Sequence, residues 1–474
     1  MAAMTGARQH GAVRRDRVVF LRSHLSSALP VASVAIAAAA ASLWRLLSWP
    51  PAATVDAWAY TAWGQAIARA ERPLFELGAT TPKPLAALLG AIVVPLPPER
   101  AFAVVVALAA AALVAGLFVA GHRQGGPIAA AGAVVAFALG ARISVSVAYA
   151  HIDVLVAALV VAGVALRGPG RIGAFVAAGL LRPEAWVLAA LAGFTETRGS
   201  LARRGLTALA AGGAAPVLWI LADLALIGDP LGTLHWQSER HAERTLGNVP
   251  WSEVPGDIWS AVTSRGGTAL VVAGLLGLAL HYGLARRRGS ADPVPLLTAL
   301  VWLLLLALET RLGVQLRARY ALPAVAILAL GCGLLLALVT PRRLQVASMW
   351  PAAVVAIAGV LFATVQTDLG RSGPREVARN EALADSRSTV ESVLLCGPLA
   401  ATSATAERGL IPQLAASSRT PLSRFGIYPG TEPVAGVLEL HRLQPGAARG
   451  LPPWPRVRTP LGPLAVAPRC RAVE

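Results

Sequence analysis

The residues most able to do chemistry in this chain are ionisable groups that sit beside long apolar runs. Asp56 lies in Thr54-Val55-Asp56-Ala57-Trp58-Ala59-Tyr60. His151 and Asp153 are two apart in Ala150-His151-Ile152-Asp153-Val154. Arg182 and Glu184 flank a proline in Leu181-Arg182-Pro183-Glu184, and Lys83 lies between Pro82 and Pro84. The segment from Glu309 to Tyr320 carries Arg311, Arg317 and Arg319. Ionisable groups at membrane depth are costly and usually functional, whereas the same groups in a wet loop cost little. Each residue therefore carries two readings. Asp56 is either a general base beside apolar walls or the N-cap of an interfacial helix. Asp153 is either a site residue, with His151, or a helix-start acid favoured by the macrodipole. The three arginines either bind an anion through their planar forks or are simply an exception to the inside bias of positive charge.

Other chemistries find less support. His235 and Glu239 are four apart and would share a helix face. The HExxH spacing of zinc hydrolases is missing, so His235 reads as a polar loop residue over a substrate pocket and no cofactor is expected, with a divalent metal as the alternative. No GxxxxGK[ST] or GxSxG occurs, and no GxGxxG sits at a strand-to-helix turn, which leaves nucleotide-driven transport and α/β-hydrolase chemistry without a motif.

The elements that must position these groups are membrane helices. Of 474 residues, 55% are apolar and 14% charged, against about 25% charged in soluble proteins. Net charge is +17. The arginines collect in short loops between apolar runs, as in membrane proteins, so nucleic acid is not an expected partner. Full spans are expected at 29–49, 101–121, 128–148, 152–166, 206–227, 269–284, 296–308, 320–339 and 354–365. The run 85–96 is too short to cross and reads as an interfacial or re-entrant helix. In 172–194 both ends want the cytoplasm, and a charged proline turn stands in the middle. Two half-helices forming a re-entrant hairpin, with Arg182 and Glu184 at the tip, satisfy this; one kinked span is the alternative. The whole is mainly α, a polytopic bundle of about nine spans plus re-entrant helices. Residues 1–28 are expected in the cytoplasm, 29–366 in the membrane of the bacterial envelope, and 367–474 outside as a small α/β domain. In that tail 390–396 and 437–441 read as strands, with a helical pattern at 407–416 between them. Cys396 and Cys470 are expected to pair as a disulfide, since disulfides persist in that compartment; two free thiols are the alternative.

These motifs, in their order and membrane side, resemble the GT-C superfamily of integral-membrane glycosyltransferases. The likeness rests on Asp56 after the first span, Thr81-Pro82-Lys83-Pro84-Leu85, His151-Ile152-Asp153, Leu181-Arg182-Pro183-Glu184-Ala185-Trp186 and Arg317-Ala318-Arg319-Tyr320-Ala321-Leu322-Pro323. It covers about 29–365. It implies an inverting hexosyl- or pentosyltransferase, mannosyltransferase-like, that uses a polyprenyl-phosphate sugar at the outer face of the plasma membrane. The partners implied are the lipid-linked donor, an envelope glycan, lipid or protein acceptor, and membrane lipid. The resemblance gives Asp56 the role of catalytic base. Lys83, Arg317 and Arg319 would hold the phosphate, and His151 and Asp153 would line the sugar pocket, with Arg182, Glu184 and His235 as further substrate-side residues. Relatives often carry paired acids in the first loop, whereas the acids after Asp56 are Glu71 and Glu76. A transporter or flippase of a lipid-linked or anionic solute is the alternative function. It would favour inverted repeats, which the sequence does not display.

Overall fold

The computed structural model describes residues 28–49, 52–73, 82–141, 143–235, 249–289, 292–314, 316–341 and 349–366, with separate pieces of the tail from 377 onward. Thirteen helices precede a small sheet among these residues. They are α1 (Ala28–Ser48), α2 (Val55–Ala68), α3 (Pro84–Ile92), α4 (Pro98–Gly140), α5 (Ile143–Ala148), α6 (Asp153–Ala165), α7 (Pro169–Gly179), α8 (Trp186–Glu196), α9 (Leu201–Leu226), α10 (Val254–Arg287), α11 (Val294–Arg311), α12 (Leu322–Val339) and α13 (Met349–Gln366).

Among the described residues, seven helical segments are long and apolar enough to cross a membrane. Their outward faces suit lipid: Leu201, Leu206 and Leu209 of α9 are 70–75% exposed. The chain is a multi-pass membrane protein.

One of the seven is two limbs. At about 1.5 Å per residue, the 43 residues of α4 would reach about 65 Å, twice a bilayer core of about 30 Å. Gly126 breaks it with φ of 79°, and Pro127 follows. A Cβ added to Gly121 would lie 2.7 Å from the Cα of Ala130. Nine residues apart along a straight helix would be about 13 Å, so the limbs fold back antiparallel. The spans expected at 101–121 and 128–148 thus share one hairpin, and the second breaks at Ala141 before α5.

Two expectations are corrected. The span expected at 152–166 is the 13-residue α6, about 20 Å long, too short to cross an unthinned bilayer. The span expected at 269–284 begins earlier, in the first turns of α10, which start at Val254 with Pro255 in the first turn. A kink at Gly267, with φ of 72°, then turns the chain into the apolar stretch.

The two half-helices expected in 172–194 form a hairpin. Arg171 at the start of α7 pairs with Glu196 at the end of α8 at 2.6 Å, so the two helices are antiparallel with their ends together. The tip is the 3-10 turn Pro183–Ala185. Trp186 donates from Nε1 to the carbonyl of Gly179 at 3.0 Å and ties the helices just below it. The base is also fixed to Asp292, 2.7 Å from Arg171, while the Arg171 Nε–H reaches the carbonyls of Gly163 and Leu166 at the end of α6. Three half-length helices, α6, α7 and α8, therefore run between this base and a common upper end.

α12 is the central helix, its residues from Leu322 to Gly331 all buried. It packs against α4 on one side and α10 on the other, and backbone contact between α10 and α12 is allowed by Gly277 facing Gly331. α2 and α3 meet the same way, with Gly64 against the backbone of Gly90 and Gly90 against the carbonyl of Tyr60.

In the tail, β1 (Leu399–Thr402), β2 (Phe425–Tyr428), β3 (Leu438–Leu440), β4 (Arg456–Thr459) and β5 (Gly462–Ala465) form one sheet in the order β2-β1-β3-β5-β4. β1 is parallel to β2 and β3; β5 is antiparallel to β3 and β4. The strand expected at 437–441 contains β3. The strand expected at 390–396, and Cys396 and Cys470, lie outside the described residues.

Candidate functional site

Four parts of the chain converge at the upper end of the short helices: the start of α2, the start of α6, the hairpin tip, and the turn that joins α11 to α12. The start of α2 follows α1 by a few residues and begins at Val55, with Thr54 as its cap. Asp56 is thus the second residue of the helix. The expected alternative of a capping aspartate does not hold: the cap has no side-chain hydrogen bond, and the Asp56 carboxylate instead accepts from Arg319 Nη2 at 2.8 Å. Asp153 opens α6 and likewise makes no cap. Its Oδ1 accepts from Arg182 Nη1 at 3.1 Å, and its Oδ2 lies 3.5 Å from Arg319 Nε.

The two arginines organise the site. Arg319 lies in the 3-10 turn Ala318–Ala321 at the head of α12, and it bridges Asp56 and Asp153. Arg182 bridges Asp153, Glu184 and Glu309, with Glu309 at 3.4 Å. The Tyr320 ring lies beneath the Arg182 guanidinium at 4.2 Å and within 5.6 Å of that of Arg319. The Asp153 side chain is 2% exposed and that of Asp56 25%, so Asp153 anchors the cluster and Asp56 meets its mouth.

Lys83 caps the start of α3 and is half-buried. Burial lowers its pKa, and the Asp153 carboxylate pulls the other way. The ammonium makes no ion pair within 4.0 Å among the described residues, so it is a cation near the cluster whose charge is unmatched by contact. His151 sits in the turn before α6, its ring 5.4 Å from that of Tyr149. Its Nδ1 is buried without a hydrogen-bond partner, and burial, reinforced by Arg319, lowers its pKa to about 3. It is therefore a neutral polar group facing the cluster.

Of the expected residues, Asp56, Lys83, His151, Asp153, Arg182, Glu184 and Arg319 come together. Arg317 does not join them: it caps the 3-10 turn with an exposed side chain. His235 does not either; its Nδ1 pairs with Asp229 Oδ2 at 2.9 Å in the turn after α9. Glu239 lies outside the described residues. Glu309, one of the acids beside the three arginines, gains a role as an acceptor for Arg182. Tyr320 went unread as a cation platform, although its place directly after Arg319 was the available signal. No group of three or more His, Cys, Asp or Glu suited to a metal is found among the described residues.

No protein-family model matches the sequence, and no curated protein matches it. Solved structures are similar to it, two of ArnT among them. One is ArnT from Cupriavidus metallidurans bound to undecaprenyl phosphate, at 13% identity over 84% of this chain and 85% of that one, with a TM-score of 0.49. The other is ArnT from the same organism in the apo state, at 14% identity over 85% of each chain, also with a TM-score of 0.49. The chemistry of the site in this chain rests on its own residues.

Proposed function

We propose that the chain is an inverting GT-C-type glycosyltransferase that takes a sugar from a polyprenyl-phosphate donor and passes it to an envelope acceptor at the outer face of the plasma membrane. The observation that carries the reading is the Arg319 bridge. One guanidinium holds a reachable carboxylate, Asp56, and a buried one, Asp153, beside the unmatched Lys83 ammonium. Lipid-linked phosphate needs cations at membrane depth, and an acceptor hydroxyl needs a base. This site has both next to lipid-facing helices.

In the reaction the acceptor O–H breaks as its oxygen bonds to the anomeric carbon. The anomeric C–O bond to phosphate breaks, and the polyprenyl phosphate leaves with the electron pair. Asp56 receives the proton. Lys83 and Arg319 meet the charge that develops on the phosphate, and His151, neutral, borders the sugar. Arg182, with Glu184 and Glu309, fixes Asp153. The charge on the phosphate is carried by these cations, so no metal is invoked.

At the end away from the site, the base of the short helices is held together by Arg171 against Glu196 and Asp292. The tail is proposed as a small α/β domain on the same outer side. The test is transfer of radiolabelled sugar from polyprenyl-phosphate donors in isolated membranes. Label appearing in an envelope acceptor, and only with active chain, is expected. Label that crosses the membrane still attached to its lipid would establish the flippase reading instead.

A further inference from the structure

Beside the ion cluster lies a groove of about 350 Å³ that none of the roles above uses. One wall is the first turns of α10, with Asp257, Ser260 and Ser264; the other is the turn after α11, with Val314, Leu316 and Ala318. We infer that this groove is the acceptor subsite and that it takes a neutral, polyhydroxylated group, a sugar ring of an envelope glycan or glycolipid. The inference rests on the transferase reading and deepens it.

Charge decides which substrate belongs here. Among the described residues of the lining, Asp257 is the one ionisable side chain. Arg311 is turned to the ring of Trp251, 5.8 Å from its centroid. A carboxylate repels a phosphodiester and accepts hydrogen bonds from hydroxyls. Asp257 and Ser260 are three residues apart and share a face of α10. Ser264 already donates to the Ala261 carbonyl at 2.9 Å, which leaves its oxygen as an acceptor. Val314 and Leu316 offer the opposite, apolar wall to the C–H face of a ring. Polar groups on one side and apolar ones on the other match a sugar, and the volume lies within the range of about 300–1,000 Å³ usual for small-molecule sites.

Position decides the role. The wall after α11 is one residue from the cluster at two points. Ala318 precedes Arg319, which holds Asp56; Thr310, also in the lining, follows Glu309, which holds Arg182. Ser264 precedes Arg265, whose Nη1 donates to Ser146 Oγ at 3.2 Å on α5. A hydroxyl of a ring seated here is directed toward Asp56, and it loses its proton to that carboxylate as its oxygen bonds to the donor's anomeric carbon.

The test uses the full chain in lipid nanodiscs and two probes: undecaprenyl phosphate, and a panel of neutral methyl glycosides read by saturation-transfer NMR. Ser260→Trp fills the groove; Asp257→Asn removes the charge at constant size. At least one glycoside is expected to bind wild type, to lose tenfold or more in affinity in both variants, and to leave undecaprenyl phosphate binding unchanged. Glycoside binding that is absent in wild type, or equal in wild type and both variants, overturns the assignment. So does a loss shared equally by both probes. Undecaprenyl phosphate that fails to bind wild type counts against the transferase reading alone, since the glycoside arm does not depend on it.

Discussion

Arg319 is held by two carboxylates of unequal exposure, and that inequality sets what each can do. Asp153 is enclosed and tied to Arg182 as well; Asp56 keeps a quarter of its side chain open. As the base, Asp56 makes a sharp expectation. Asp56→Asn keeps the shape and a hydrogen bond to Arg319 but cannot take a proton. Transfer should fall by about 10²–10⁴-fold, the range of a lost general base, with membrane insertion and undecaprenyl phosphate binding retained. Turnover near wild type in the membrane assay would move the role to Asp153. His151 makes an expectation about pH. Its folded pKa, about 3, lies below the unfolded value of about 6.5, so the unfolded state binds more protons between the two. Stability from this residue is complete above about pH 6.5 and is lost as pH falls toward 3. Thermal unfolding in detergent should shift down from pH 7.5 to 5.0, and His151→Gln should flatten that shift. An identical pH slope in the variant would remove His151 from the account. Much of this cluster was legible in the sequence because charged residues beside apolar runs are costly and need partners. The partners themselves were not legible. Arg182 and Glu309 are 127 positions apart, and only the packing of the hairpin against α11 joins them. His235 illustrates the opposite failure: an attractive residue type whose Nδ1 is engaged locally by Asp229.

Elements set the distances between these groups. α2 carries Asp56 and α3 begins at Lys83, and their spacing is fixed where Gly64 meets Gly90 backbone to backbone. Any Cβ there forces the helices apart. Gly64→Ala should therefore weaken both transfer and lipid-phosphate binding although the residue touches no substrate. A profile in which only thermal stability changes would show that the spacing is not critical. The hairpin depends on its base in a different way. Arg171 is buried with Glu196 and Asp292. Breaking a buried ion pair by removing one partner costs about 3–5 kcal/mol because the other charge stays behind. These two acids are about one-fifth exposed, so Arg171→Ala should fall at or below the lower end, about 3 kcal/mol, and read as a lowered unfolding temperature. An unchanged temperature would mean the acids rehydrate freely. The hairpin itself could be read in advance because arginines bracket an apolar run with a charged proline turn inside it. The length of α6 was legible as well: the run expected at 152–166 exceeds the helix by one residue at each end, and Arg167, Gly168 and Pro169 follow it directly. What the sequence did not display is that the Arg171 guanidinium, in the next helix, holds the carbonyls of Gly163 and Leu166.

On the scale of the whole molecule, the tail and the site lie on one side. Asn380 accepts from Trp58 Nε1 at 2.9 Å and donates to the Ala53 carbonyl at 3.4 Å, and Gln65 donates to the Ala416 carbonyl at 3.3 Å. Asn380, Gln65 and Ala416 are all 5% exposed or less, so these are buried contacts between tail residues and α2, the helix of Asp56. Short loops constrain membrane side through their arginines, but the tail carries no apolar run that would fix its own position. Contact with α2 supplies that constraint: wherever the tail goes, the site's mouth goes too. A polyprenyl-phosphate donor presented at the outer face thus requires an outer tail, and alkaline phosphatase fused after residue 366 should be active. The fusion should keep its sidedness in Trp58→Phe, which lacks the indole donor, because helix insertion sets topology before the tail docks. The docking should not survive as well: proteolysis of the tail should be faster in that variant than in wild type. A fusion active only as a cytoplasmic reporter would put both tail and site inside, and an outer-face transferase would then be untenable.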